Sequence, residues 1–152
     1  MFIRKATIGD YEEIVEMYYE LMKVCFPHRK LGAKIFFYEK VRNWFYNKNN
    51  ELRVVQKDDE IIGFSMCYVD NIEMITEDVL NADMVYIKPE YRKTRAAYLI
   101  WDTLVNRAKE LGIGMTTLAT PEASKVTLKR YNTKMAFIMI EAAKEDIKQY
   151  KE

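Results

Sequence analysis

The chain is short of the residues that usually make a ligand site visible in a sequence: one histidine, two cysteines, five glycines and three prolines occur in 152 residues. A lone His28, and cysteines as far apart as Cys25 and Cys67, leave no grouped ligand set for zinc. No carboxylate spacing matches a calcium loop, so no metal is expected. Little glycine and proline argues against a low-complexity or fibrous chain. No apolar run reaches the roughly 20 residues of a membrane-spanning helix, and the opening MFIRKAT turns polar before a signal-peptide core can form. Both absences predict a cytoplasmic protein with no membrane partner. An excess of charge of one sign is missing too: 24 Lys and Arg face 23 Asp and Glu, which argues against nucleic acid as a partner because nothing steers the chain onto a polyanion.

What is present is ordinary globular material, 49% hydrophobic and 31% charged, of a length that suits one core and a single domain over residues 1–152. Residues 2–6 read as a strand, and Asp10 is placed to cap a helix that starts near Tyr11. There Ile14, Met17, Tyr18, Leu21, Met22 and Cys25 recur at helical spacing until Pro27. A second amphipathic helix is expected over residues 33–46, with Ile35, Phe36, Tyr38, Val41, Trp44 and Phe45 as its apolar positions. Residues 51–56 and 61–69 are rich in β-branched and aromatic residues around Lys57, Asp58, Asp59 and Glu60, which predicts a hairpin. The acidic stretch 70–83 reads mostly as loop, followed by a strand over residues 84–87 that Pro89 limits. Residues 96–111 form the clearest helix, with Gly112 in place to end it. A short strand over 115–119, a helix opened by Pro121 and a strand over 136–142 complete a mixed α/β order.

Chemistry concentrates in MVYIKPEYRKTRAAYLIWDTLVNRAKELG. A strand, a basic turn and a long helix in direct succession aim unpaired backbone N–H groups at one point, and such a point favours phosphate. Arg92, Lys93 and Arg95 add side-chain charge beside those donors, and the small Ala96 and Ala97 allow a ligand close to the first helical turn. With Thr94 they make a candidate diphosphate grip over residues 91–97.

This segment resembles the pyrophosphate-binding turn of the GNAT superfamily of acyl-CoA-dependent N-acyltransferases. That turn begins with Gln or Arg and has Gly or Ala three and five positions later. Arg92 and Ala97 match; Arg95 stands where glycine is usual and carries a higher cost for φ > 0, which predicts weaker cofactor binding or a slightly different turn. The element order along nearly the whole chain resembles the same family. The resemblance implies a central, mostly antiparallel sheet of six or so strands, splayed between strands 4 and 5, with helices on both faces. It implies acetyl-CoA as cofactor, with its pantetheine arm bonded to main-chain groups presented by Val85 and Ile87, and direct acetyl transfer to a primary amine of a small molecule or protein. The segment LKRYNTKMAF is similar to the one in which a helix tyrosine faces the CoA sulfur, which makes Tyr131 the candidate general acid.

An amine nucleophile must also lose a proton, and Asp83, just before the fourth strand, is the first candidate base, with Glu73 and Glu122 as alternatives. Neither cysteine falls in a segment expected to reach the thioester, which favours direct transfer over an acyl-enzyme. Two rival readings stay open: a noncatalytic acyl-CoA-binding or protein-interaction domain on this scaffold, and a nucleic-acid module using Arg92, Lys93, Arg95, Lys129 and Arg130. Monomer and homodimer are equally open.

Overall fold

A tight reversal at Asp58 and Asp59 sets the sheet in register. In the computed structural model, which describes residues 1–71 and 77–118, β2 (Asn50–Lys57) and β3 (Glu60–Asn71) pair antiparallel with Lys57 opposite Glu60. That leaves a two-residue loop, and Asp58 takes the left-handed φ of 54° such loops require. Aspartate tolerates this conformation better than most residues.

The described elements follow the expected order: β1 (Phe2–Lys5), α1 (Tyr11–Cys25), α2 (Lys34–Tyr46), β2, β3, β4 (Asp78–Ile87), α3 (Ala96–Leu111) and β5 (Gly114–Thr117). The sheet order is β1-β2-β3-β4-β5, antiparallel throughout except for β4 and β5, which run parallel. The helix expected from Pro121 and the strand over 136–142 lie outside the described residues.

Period-two alternation divides the sheet's side chains between two apolar layers. Val54, Phe64, Met66 and Tyr86 join Ile14, Val15, Met17, Tyr18 and Leu21 of α1 and Phe37, Val41 and Trp44 of α2. On the opposite face Val55, Ile62, Cys67, Leu80, Ala82 and Ile87 pack with Ala96, Ile100, Trp101, Leu104 and Ala108 of α3. One helical layer thus covers each face. Gly63 marks the tightest approach, since a Cβ there would stand 2.6 Å from Ile87 Cδ1 and 2.7 Å from the Tyr86 carbonyl oxygen.

Three sequence expectations need correction. Strand β4 begins at Asp78, six residues before the expected 84, because polar residues alternate with buried Leu80 and Ala82 there. Cross-strand side chains hold this part: Asn71 Nδ2 donates to Asp78 Oδ1 (2.8 Å) and Asn81 Nδ2 to Tyr68 Oη (2.8 Å). Ile35 and Phe36 are 57% and 62% exposed, because the buried stripe of α2 runs through Phe37, Val41 and Trp44. Asp10 precedes α1 but does not cap it through its side chain. Its carboxylate instead accepts hydrogen bonds from the two terminal guanidinium nitrogens of Arg4 (2.7 and 2.8 Å) and from the Thr7 N–H (2.8 Å) and hydroxyl (3.1 Å), tying β1 to the entry of α1.

Candidate active site

Strand β4 changes phase at one residue. Met66 of β3 lies opposite Met84 and Cys67 opposite Ala82, so Asp83 is the extra residue of a β-bulge. On one side of it Leu80 and Ala82 face the α3 layer; on the other Val85 packs against that layer and Ile87 belongs to it. Two residues, Asp83 and Met84, separate these inward positions, and Met84 and Tyr86 pack on the α1/α2 side.

Among the described residues, pairing between β4 and β5 extends to the same place. It runs from Val79 opposite Gly114 to Ala82 opposite Thr117, and Thr117 Oγ1 donates to the Ala82 carbonyl at 2.9 Å. Beyond it, residues 84–87 of β4 pair with β3 alone among the described residues. The Lys88 N–H donates to the Ile62 carbonyl at 2.9 Å, so by strand alternation Tyr86 and Met84 also turn their main-chain groups toward β3. Val85 and Ile87 turn theirs to the opposite edge, which has no partner strand there among the described residues. At Ile87 the carbonyl accepts Arg92 Nε at 3.0 Å.

The turn after β4 is braced by the hairpin. Lys88 Nζ and Tyr91 Oη both reach the Glu60 carboxylate, at 2.9 and 2.8 Å, and Lys57 lies 5.2 Å from the Tyr91 ring centroid. Arg92, bonded to Ile87, also stacks its guanidinium 5.5 Å from the Tyr86 ring centroid, so one side of the turn is anchored to the strand. The Thr94 hydroxyl donates to the Tyr91 carbonyl (2.6 Å) and accepts the Ala96 N–H (3.2 Å). Arg95 precedes α3 with φ −65° and ψ −12°. The turn therefore takes a right-handed conformation open to any L-residue, and the backbone cost expected for arginine in place of glycine does not arise.

What remains at the tip suits an anion. The N–H groups of Lys93, Arg95 and Ala97 have no hydrogen-bond acceptor among the described residues. The side chains of Arg92, Lys93, Thr94 and Arg95 are exposed, Ala96 is buried and Ala97 partly so. Free donors, the helix dipole and three cations around small residues fit a diphosphate.

Around the bulge the chemistry differs. Asp83 is partly buried and has no hydrogen-bond or ion-pair partner among the described residues; burial raises its pKa and the charge of Lys40 on α2 partly opposes the rise. Cys67, fully buried on the α3 face, has its thiol pushed up to about 11 by desolvation. Cys25, at the end of α1, is also held protonated by burial. Neither thiol resembles an activated nucleophile. His28 is exposed in the turn after α1. The alternative bases Glu73 and Glu122, and Tyr131, Lys129 and Arg130, lie outside the described residues. Sequence reasoning missed the bulge, which has no local signature and is visible only once β3 and β4 are aligned.

The profile of the acetyltransferase (GNAT) family matches residues 14–137. The chain belongs to that family. It is an acyltransferase, and acetyl-CoA is its acyl donor. Solved structures with the same fold include a predicted acetyltransferase with acetyl-CoA from Clostridium acetobutylicum, at 18% identity and TM-score 0.74, covering 93% of this chain and 94% of that one. A transcriptional regulator from Bacillus halodurans C-125 shares 22% identity at TM-score 0.70, covering 93% and 97%. An aminoglycoside antibiotic 6'-N-acetyltransferase from Acinetobacter haemolyticus shares 12% at TM-score 0.71, covering 95% and 98%. Comparison with curated protein sequences gives no match. No described helix is long and apolar enough to cross a membrane.

Proposed function

We propose that this GNAT-family protein is an N-acetyltransferase that moves the acetyl group of acetyl-CoA directly to a primary amine. The observation that carries the reading is the coincidence at residue 83. Among the described residues the bulge, the last β4–β5 pair and a partly buried carboxylate without a hydrogen-bond or ion-pair partner fall together, on the strand that leads into the turn over residues 92–97.

Residues 92–97 would hold the diphosphate, through the N–H groups of Lys93, Arg95 and Ala97 and the cations of Arg92, Lys93 and Arg95. The outward main-chain groups of Val85 and Ile87 would bond the pantetheine arm as an added strand does, with the Ile87 carbonyl shared with Arg92. Acetyl-CoA supplies the acyl carbon as a thioester: the amine nitrogen bonds to that carbon as the carbon–sulfur bond breaks. Asp83 takes the proton the amine must lose, its raised pKa bringing it closer to a useful base strength. Tyr131 is proposed as donor of the proton that the departing thiolate gains, which balances the reaction. Direct transfer agrees with the protonated state of both cysteines.

Thermal denaturation with and without acetyl-CoA tests the binding half of this reading. A ligand of the native state raises the midpoint by mass action, so acetyl-CoA should raise Tm for the wild type and much less for Arg92→Ala. No shift with any acyl-CoA sinks the assignment of residues 92–97. Thiol release over a panel of small amines and peptide N-termini tests the acceptor class.

A further inference from the structure

The turn over residues 92–97 is fastened to a part of the chain that lies far from it in sequence. It leaves β4 through residues 88–91, a segment stiffened by Pro89 and closed by a hydrogen bond from the Tyr91 N–H to the Lys88 carbonyl at 2.9 Å. Both ends of that segment are tied to one carboxylate. Lys88 Nζ donates to Glu60 Oε1 at 2.9 Å, and Tyr91 Oη donates to Glu60 Oε2 at 2.8 Å. One such bond would let the segment pivot; two, to the two oxygens of a single group, fix its orientation.

Glu60 is a firm anchor. It opens β3 opposite Lys57, across the two-residue loop, and Gln56 Nε2 steadies that loop by donating to the Asp58 carbonyl at 2.8 Å. The hydrogen bonds from Lys88 and Tyr91 hold its carboxyl below the usual glutamate range, so it is ionised at neutral pH. Beyond Tyr91 the linkage continues into the turn. The Tyr91 carbonyl accepts the Thr94 N–H (3.0 Å) and hydroxyl (2.6 Å), and Thr94 Oγ1 accepts the Ala96 N–H (3.2 Å). A chain of bonds thus runs from the hairpin to the first residue of α3, and the N–H groups of Lys93 and Arg95 lie between its links. Charge alone argues the other way: a carboxylate on this side of the turn repels a polyanion, so its removal would tighten binding.

We infer that Glu60 is a positioning residue for acetyl-CoA: through Tyr91 and Lys88 it fixes the aim of the turn's N–H groups at the diphosphate, without touching the cofactor itself. The hairpin loop then serves cofactor binding as well as sheet register. Arg92, bonded to the Ile87 carbonyl at 3.0 Å, still anchors the other side of the turn, so loss of Glu60 loosens the grip and leaves the fold intact. The inference rests on the reading of residues 92–97 as the diphosphate grip.

The test is calorimetric titration of acetyl-CoA into the full chain at neutral pH, for the wild type, Tyr91→Phe, Glu60→Ala and the double variant. Tyr91→Phe removes one hydroxyl and should raise Kd about fivefold, the scale of one exposed charge-assisted bond. Glu60→Ala should raise it at least as much. The double variant should bind no more weakly than Glu60→Ala alone, because both changes break the same bond. Ligand-free melting temperatures should stay close to the wild-type value, whereas a bond that served stability alone would lower them and leave Kd where it was. An unchanged Kd in either single variant, tighter binding by Glu60→Ala, or losses that multiply in the double variant overturns the inference. The two readings fail separately: wild-type binding that the variants leave unaffected removes the role of Glu60 and keeps the grip, whereas no binding by the wild type removes the grip and this inference with it.

Discussion

The corner around Asp10 and the middle of β4 around Asp83 each draw a carboxylate away from water, and they treat it in opposite ways. Asp10 is 6% exposed and saturated with donors, two from Arg4 and two from Thr7. The Arg4 hydrogen bonds hold its pKa below the usual aspartate value. Asp83 has no donor among the described residues, and burial moves its pKa upward. A satisfied carboxylate fastens structure; an unsatisfied one is a standing cost that persists where a ligand completes it.

The comparison breaks most visibly in turnover. Asp83→Asn should lower acyl transfer to an amine by about a hundredfold or more, the scale of losing a general base, while its melting temperature stays level or rises. A matching loss of stability would mean that Asp83 is structural. The converse experiment is Asp10→Ala, which strips Arg4 and Thr7 of their acceptor. Urea denaturation should show a loss of about 2–3 kcal/mol, a moderate value because Arg4 is partly solvated, with acetyl-CoA affinity unchanged. Gly63→Ala touches neither carboxylate but drives a Cβ against the Ile87 side chain and the Tyr86 carbonyl. It should cost about 1–2 kcal/mol by the same measurement, as overpacking does.

The smallest effect is in the pH dependence of stability. Asp10 has a lowered folded pKa, so its contribution is present above the unfolded aspartate value of about 3.9 and lost as pH falls through the folded one. Asp83 has a raised folded pKa, so stability drops as pH rises from the unfolded value through the folded one. Asp10→Asn should therefore flatten the acid limb of a stability–pH curve, and Asp83→Asn should remove a shallow decline on its less acidic side.

Much of this architecture is legible in local pattern. Helix α3 was readable from Leu99, Ile100, Leu104, Val105 and Ala108, and Gly112 ends it with φ 68° as a C′ glycine should. The hairpin followed from β-rich runs around Asp58 and Asp59. What the residues did not disclose depends on partners distant in sequence. The first half of β4 looks like an acidic loop until Tyr68 and Asn71 are set against Asn81 and Asp78. Asp10 looks like a helix cap until Arg4 is brought alongside. Arg95 looks like a misfit only if the turn must be left-handed, and its φ of −65° removes that premise. At the site, Asp83 was singled out from its place before a strand, and no local spacing reveals that it is the extra residue of a bulge.

The bulge has a consequence for what the chain could lose. Strike out residue 83 and strand β4 alternates without interruption: Ala82 toward α3, Met84 toward α1, Val85 toward α3, Tyr86 toward α1. Every apolar side chain keeps its layer, and Met66 and Cys67 face consecutive partners. A single-codon deletion would therefore tidy the strand while removing the carboxylate proposed as the base. By the counting rule of an extended chain, Asp83 is the residue the sheet can spare.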